Sequence, residues 1–192
     1  VFAGASIRYT AVIPIAGDLI TSDLAMALLT PTMDAEDIKL EHGCAKQLLA
    51  NPDQQVEVAG VGDRSSRFVN KQVLSGVIEP RVEEIFTLVL QVVRNSGLEE
   101  VLSSGFVITG GASAMYGMVE LAEDIFLKPV RTGVPIYKGH LQDFVVKPEM
   151  ATAMGFLETV RQGRARGARV GRQSSGVGAW LARAREFLIG NF

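Results

Sequence analysis

Two short apolar runs, Phe106-Val107-Ile108-Thr109 and Pro129 to Val134, bracket an amphipathic stretch from Met115 to Phe126, and Gly110-Gly111 joins the first run to it. This succession constrains the fold more than any other part of the chain, because strands that alternate with helices must stack in layers to bury their apolar faces. The remaining segments follow the same alternation. Ser6 to Ile15 (SIRYTAVIPI) reads as a strand. Asp18 is a candidate N-cap for a helix over Leu19 to Leu29, closed by Thr30-Pro31-Thr32. Asp34 is a candidate cap for a second helix over Ala35 to Leu49, with Asp37 placed to suit the helix dipole. Gln55 to Ala59 (QVEVA) alternates as a strand, and Gly60 to Ser66 reads as a turn or loop. From Asn70 to Asn95 the residues Val73, Leu74, Val77, Ile78, Val82, Ile85, Phe86, Val89 and Val93 keep a helical rhythm, with Pro80 predicting a kink or break. Met150 to Val160, rich in small residues, predicts a last helix. The class is α/β.

Charge divides the chain where pattern does. From Arg161 onward there are seven arginines and one acid, Glu186, a net charge of +6, while the remainder has twelve basic and twenty acidic residues, a net charge of −8. The near-neutral total thus hides an acidic body and a basic tail. The apolar content of the body is that of a globular domain. A lone cysteine, Cys44, excludes an intramolecular disulfide and fits a reducing compartment. No signal peptide and no run of membrane-spanning length is visible. Val1 falls inside an apolar pattern already under way, which reads as the C-terminal piece of a longer protein.

Residues 161–176, with almost no large apolar side chain, read as a flexible basic linker. Beyond it, Val177 to Phe192 (VGAWLARAREFLIGNF) reads as an amphipathic helix. At ~100° per residue Val177, Trp180, Leu181, Ala184, Phe187 and Leu188 share one face. Arg183 and Arg185 flank it and Glu186 points away. Margin arginines can reach lipid phosphates while their stems cover apolar surface. The run is too short and too charged to cross a bilayer, so it either lies on anionic lipid or docks on the protein's own core. An arginine–glycine tail is also compatible with RNA, though RNA contact gives no reason for the apolar stripe.

Gly110-Gly111 lets the backbone approach a flat ligand where no Cβ intervenes, or makes a tight structural turn. The dinucleotide glycine spacing is absent, and Gly111-x-Ser113 lacks the closing glycine of a nucleophile elbow. With only His42 and His140 in the chain, neither a serine triad nor metal-ligand spacing is recognisable. No catalytic residue is assigned.

In their order along the chain, VIPIAGDLITSDLA (Val12 to Ala25), AEDIKLEHGCA (Ala35 to Ala45), VIEPRVEEIF (Val77 to Phe86), FVITGGASAMYGMVELAEDIF (Phe106 to Phe126) and PVRTG (Pro129 to Gly133) resemble the C-terminal half of the FtsA family. The resemblance extends through the linker and terminal helix. It implies the second half of an actin-like (ribonuclease H-like) ATPase fold: residues 1–33 and 103–160 as a nucleotide-binding α/β subdomain, 34–102 as an inserted small subdomain, 161–176 as linker, and 177–192 as a membrane-targeting helix.

By resemblance, Gly110, Gly111, Ala114 and Met115 lie on the adenosine side of an ATP pocket, and Glu36, Lys39 and Gly43 flank base and ribose. Gly17 and Asp18 lie near the phosphates. From the residues alone, Lys39 is equally readable as a solvated helix lysine and Asp18 as a cap. The family's phosphate-gripping loops precede this segment, so ATP, with Mg expected, should bind weakly or not at all to this stretch alone. Arg67, Arg81 and Glu84 fall where the family contacts the C-terminal peptide of FtsZ, or are plain exposed charges. The implied role is a tether that links FtsZ polymers to the cytoplasmic face of the inner membrane at the division site. It self-associates into filaments, binds anionic lipid and other division proteins but no nucleic acid, and is at most a slow ATPase. Rival readings are another actin-like adaptor of the pilus-assembly type and a sugar- or acetate-kinase-like phosphotransferase.

Overall fold

The computed structural model describes residues 1–4 and 6–165. The chain divides into a unit from Val1 to Thr152 and a second from Ala153, each described by itself.

The first unit opens on a minimal antiparallel ladder, β1 (Phe2–Ala3) on β2 (Ser6–Ile7), with Phe2 opposite Ile7. The strand expected as far as Ile15 is not formed beyond Ile7. β-branched residues favour extended backbone, but a strand exists only against a partner; Arg8 and Tyr9 still hydrogen-bond to Val1, and among the described residues Thr10 to Ile15 pair with no strand. Helix α1 (Gly17–Leu28) begins two residues earlier than expected. Its N-cap is Ala16, so Asp18 is not the cap; it sits in the first turn, where a carboxylate suits the helix dipole. The helix ends through Leu29 in the left-handed region (φ 47°), with the Thr30 amide donating to the Ala25 carbonyl at 3.1 Å.

Helix α2 (Thr32–His42) has Pro31 as its N-cap and Asp34 in its first turn, so Asp34 is likewise not the cap. It stops at His42 rather than Leu49: the Gly43 amide closes on the Lys39 carbonyl at 3.0 Å, and Gln47–Leu49 form a separate 3₁₀ turn. β3 (Gln55–Val58) pairs antiparallel with β4 (Arg67–Asn70), Gln55 opposite Asn70 and Val58 opposite Arg67. The alternation anticipated in β3 turns Val56 and Val58 inward. Asn70 then caps α3 (Lys71–Asn95), its side-chain oxygen accepting from the Gln72 amide at 2.7 Å. Of the kink or break expected at Pro80, the break does not occur, for α3 runs through it. Ile78 and Val82, buried on either side, hold both halves in one helix.

Gly105 leads into β5 (Phe106–Ile108), and Gly111–Ala114 form a 3₁₀ turn, which delays α4 (Met118–Phe126) by three residues. β6 (Val130–Thr132) returns parallel to β5, Phe106 opposite Val130. A short α5 (Gln142–Val145) follows. α6 (Ala151–Ala165) continues five residues past its expected end, into the predicted linker. Within it Arg161 pairs with Glu158 at 2.7 Å and holds that carboxyl down to about 2. The rest of the linker and the terminal amphipathic segment lie outside the described residues. Among the described residues no helix is long and apolar enough to cross a membrane.

One core serves the first unit. Ile20 and Leu24 of α1, Val56 and Val58 of β3, Leu74, Ile78 and Val82 of α3, and Leu121 of α4 meet in it. Phe126 stacks on Phe106 with ring centres 4.1 Å apart and meets Phe86 edge-on at 5.4 Å. Side chains from both sets of residues expected to form separate subdomains therefore feed the same core.

Candidate functional site

α1 and α2 lie side by side because Ile20, Leu24, Ala35 and Ile38 bury against one another's helices. That packing draws Lys39 toward the first turn of α1. Lys39 is only 7% exposed, and its ammonium donates to Glu36 Oε2 at 2.6 Å, Thr21 Oγ1 at 2.8 Å and the Gly17 carbonyl at 3.3 Å. These use all three ammonium hydrogens. It is not a solvated lysine. Thr21 also donates to Glu36 Oε2 and Lys39 closes the group, so the carboxyl of Glu36 is held below the ordinary carboxylate range, first by Lys39 and then by Thr21. With its pKa lowered on folding, Glu36 stabilises the fold above the ordinary carboxylate range and loses that effect as pH falls through its depressed value. Both bonds fall on Oε2, which leaves Oε1 to accept from a ligand.

The glycine-rich turn comes to the same place. A Cβ on Gly17 would stand 3.5 Å from the Ala112 Cβ and 3.8 Å from Lys39 Nζ, and one on Gly43 would stand 3.2 Å from Met115 Cε. Cys44 and Tyr116 form a parallel bridge, the Ala45 amide donating to the Tyr116 carbonyl at 2.8 Å. Gly17, Glu36, Lys39, Gly43 and Met115, far apart in sequence, are thus gathered at one locus with Ala114 beside them. Gly110 has φ 96°, a backbone only glycine adopts freely, and open space where a side chain would be. Gly111 faces only the Glu149 Cβ, at 3.9 Å. The Gly110 amide donates to the Pro148 carbonyl at 3.1 Å. Asp18 is exposed beside this locus, and its backbone carbonyl accepts from Ser22 Oγ at 3.0 Å.

Two hollows accompany the site. One of about 450 Å³, between α1, α3 and β5, is walled by Ile20, Val82, Phe86, Phe106 and Phe126 and is too apolar for phosphate. Another, of about 300 Å³, carries Asp34, Asp37, Glu41 and Glu57, which repel polyphosphate. The first is continuous with the glycine-lined locus, since Gly17, Ala112 and Ser113 also line it. Among the described residues no cluster of potential ligands could hold a metal ion.

The partner residues separate. Arg67 donates to the Leu28 carbonyl, the last carbonyl of α1, where a cation suits the helix dipole. Arg81 joins α3 to α1: its Nε donates to Asp23 Oδ2 at 2.5 Å and its Nη2 to Asp23 Oδ1 at 3.0 Å, while Nη1 donates to Glu84 Oε2. The bond to Asp23, above all, raises the pKa of the guanidinium. Arg81 is no plain exposed charge, and reversing it would remove a helix–helix tie and set three anions together. Thr21 and Asp23 were missed in the sequence. Thr21 carried a signal, lying four residues after Gly17 on one helical face. Asp23 carried none, its partner being fifty-eight residues away.

Solved structures share this architecture. MreB 5 of Spiroplasma citri bound to AMPPNP superposes with a TM-score of 0.61 over 81% of this chain and 47% of its own, at 17% identity. The ADP-bound form gives 0.57 over 80% and 47%, at 15% identity. The fold is the C-terminal half of the actin-like α/β class. Sequence relatives narrow this. The family model described as Cell division protein FtsA matches residues 1–155. Cell division protein FtsA of Pseudomonas aeruginosa is 50% identical over 82% of this chain and 38% of its own length, and that of Escherichia coli K12 is 37% identical over 100% and 48%. The chain belongs to the FtsA family of cell division proteins, and it spans less than half the length of these relatives.

Proposed function

We propose that the intact protein is an ATP-binding, filament-forming tether that links FtsZ polymers to the cytoplasmic face of the inner membrane at the division site. The observation that carries this reading is the match to Cell division protein FtsA across residues 1–155. The neighbouring structures bound to AMPPNP and ADP support nucleotide binding by the same fold. The residues fit a nucleotide: Gly110 and Gly111 offer side-chain-free backbone for adenosine beside Ala114 and Met115, and Glu36 Oε1 accepts from a ribose hydroxyl. Lys39, fully committed, holds Glu36 in place rather than touching the ligand, and Gly43 keeps the α2 end close to Met115. Gly17 and Asp18 lie toward the phosphates. Bound ATP with Mg²⁺ supplies a hydrolysable phosphoanhydride.

Gly111→Val tests the nucleotide part, because a Cβ there meets only the Glu149 Cβ at ordinary contact distance, 3.9 Å, and clashes with no backbone. ATP affinity of the intact protein is expected to fall by about tenfold or more, about 1.4 kcal/mol. Unchanged affinity by calorimetry would reduce Gly110-Gly111 to a turn.

Membrane attachment is assigned to Val177, Trp180, Leu181, Arg183, Ala184, Arg185, Phe187 and Leu188. Burying one large apolar side chain contributes about 1.5–3 kcal/mol. A single partly inserted helix therefore binds reversibly, and an array of them binds tightly through effective concentration. Flotation with anionic vesicles tests the whole reading. The intact protein with ATP should carry FtsZ polymers to the top of the gradient. Trp180→Glu should leave both proteins at the bottom, with the body still folded by circular dichroism. FtsZ that floats equally well with the charged variant would remove the helix as anchor.

A further inference from the structure

We infer that Arg81 receives a carboxylate of the FtsZ C-terminal peptide, that Asp23 is its positioning residue, and that Glu84 is an internal stand-in for that carboxylate. This rests on the tethering reading above. A guanidinium carries five N–H donors in a rigid fork. Asp23 takes Nε–H and one Nη2 hydrogen side-on, which fixes the plane of the group against α1. Glu84 takes one hydrogen of Nη1. The end edge of the fork, one hydrogen on each terminal nitrogen, is the edge a second carboxylate grips bidentately.

The two acids are held unequally. Asp23, with a side chain 19% exposed, grips through two bonds from a neighbouring helix, whereas Glu84, 48% exposed, is three residues along the same helix and holds by one. An incoming carboxylate therefore displaces Glu84 and leaves Asp23 in place. The resting group of one cation and two anions carries a net charge of −1, so an acidic ligand gains little until Glu84 turns away. Once released, Glu84 is free to pair with a basic side chain of the ligand. The site so described selects a peptide that brings an acid and a base together, and it holds its arginine ready before the peptide arrives, which lowers the ordering cost of binding.

Charge alone and positioning predict opposite signs at Asp23. Removing an anion should strengthen binding of an acidic peptide on charge alone; loss of positioning should weaken it. The test is titration of the intact protein with a synthetic FtsZ C-terminal peptide at low salt. Asp23→Asn is expected to bind about fivefold more weakly or worse, and Asp23→Glu to recover part of the loss. Glu84→Gln, tested with a peptide whose basic residues are neutralised, is expected to bind severalfold tighter than the parent. The Arg81 Nε–H proton, observed by NMR, should be protected from exchange in the parent and in Glu84→Gln and lose protection in Asp23→Asn. Equal or tighter binding by Asp23→Asn, or weaker binding of the neutralised peptide by Glu84→Gln, overturns the inference alone. A parent that binds no FtsZ peptide overturns the tethering reading and this inference with it.

Discussion

Replacing Gly105 with valine is expected to remove a large part of the protein's folding stability. Gly105 has φ +79°, in the left-handed region, and a Cβ there would fall on the Pro129 carbonyl. That carbonyl cannot yield, because it accepts from the Phe106 amide at 2.9 Å, the first bond of the β5–β6 pairing. The left-handed backbone costs roughly 1–2 kcal/mol for a residue with a Cβ. Forcing the strands apart adds about 1–3 kcal/mol of overpacking and also removes a ladder bond. The combined loss approaches the lower end of the ~5–15 kcal/mol that keeps a domain folded. Gly97→Val is the control: φ is +70°, but nothing lies within 4 Å of its Cβ position. It should show the backbone cost alone. Urea melts in which the two variants differ by less than about 1 kcal/mol would refute the role given to the Pro129 carbonyl.

Leu74→Ala is the second large loss, at about 2–5 kcal/mol. Leu74 is 0% exposed on the first turns of α3, in the core shared by α1, β3 and α4. The lost methyl groups would leave a cavity that α3 cannot close, since Ile78 and Val82, also fully buried, pin it one and two turns further on. Val73→Ala, at a neighbouring position 53% exposed, should cost well under about 1 kcal/mol. Equal unfolding midpoints for the two variants would show that the inward face of α3 has been misassigned.

The long helix was the most legible element, and the reason is its rhythm. Leu74, Ile78, Val82, Phe86 and Val93, marked by spacing alone, are all buried on one face of α3. β5, the glycine turn, α4 and β6 were equally readable, because turn chemistry and hydrophobic period agree there. Segments whose structure depends on distant partners were not. β4 was missed because Phe68-Val69 does not alternate; it is a strand only through β3. Ser6 to Ile15 looked more like a strand than Arg67 to Asn70 does, yet only Ser6 and Ile7 found a partner. Among site residues, Glu36 and Lys39 are one turn apart on α2 and could be read as a pair. The Asp23–Arg81 tie, which spans two helices, has no local signature at all.

The placement of α1 carries a consequence for how such a sequence can vary. Gly17 and Thr21 belong to the Lys39 group, and Asp23, two residues on from Thr21, belongs to the Arg81 group. Gly17 and Asp23 are separated by only about 9 Å of helix rise. A register slip or insertion in this rod would dislodge both groups at once, and inheritance could not adjust either one independently. Divergence is expected to spare the length of α1 and the positions Gly17, Thr21 and Asp23 on its two sides, and to collect at exposed positions such as Met26.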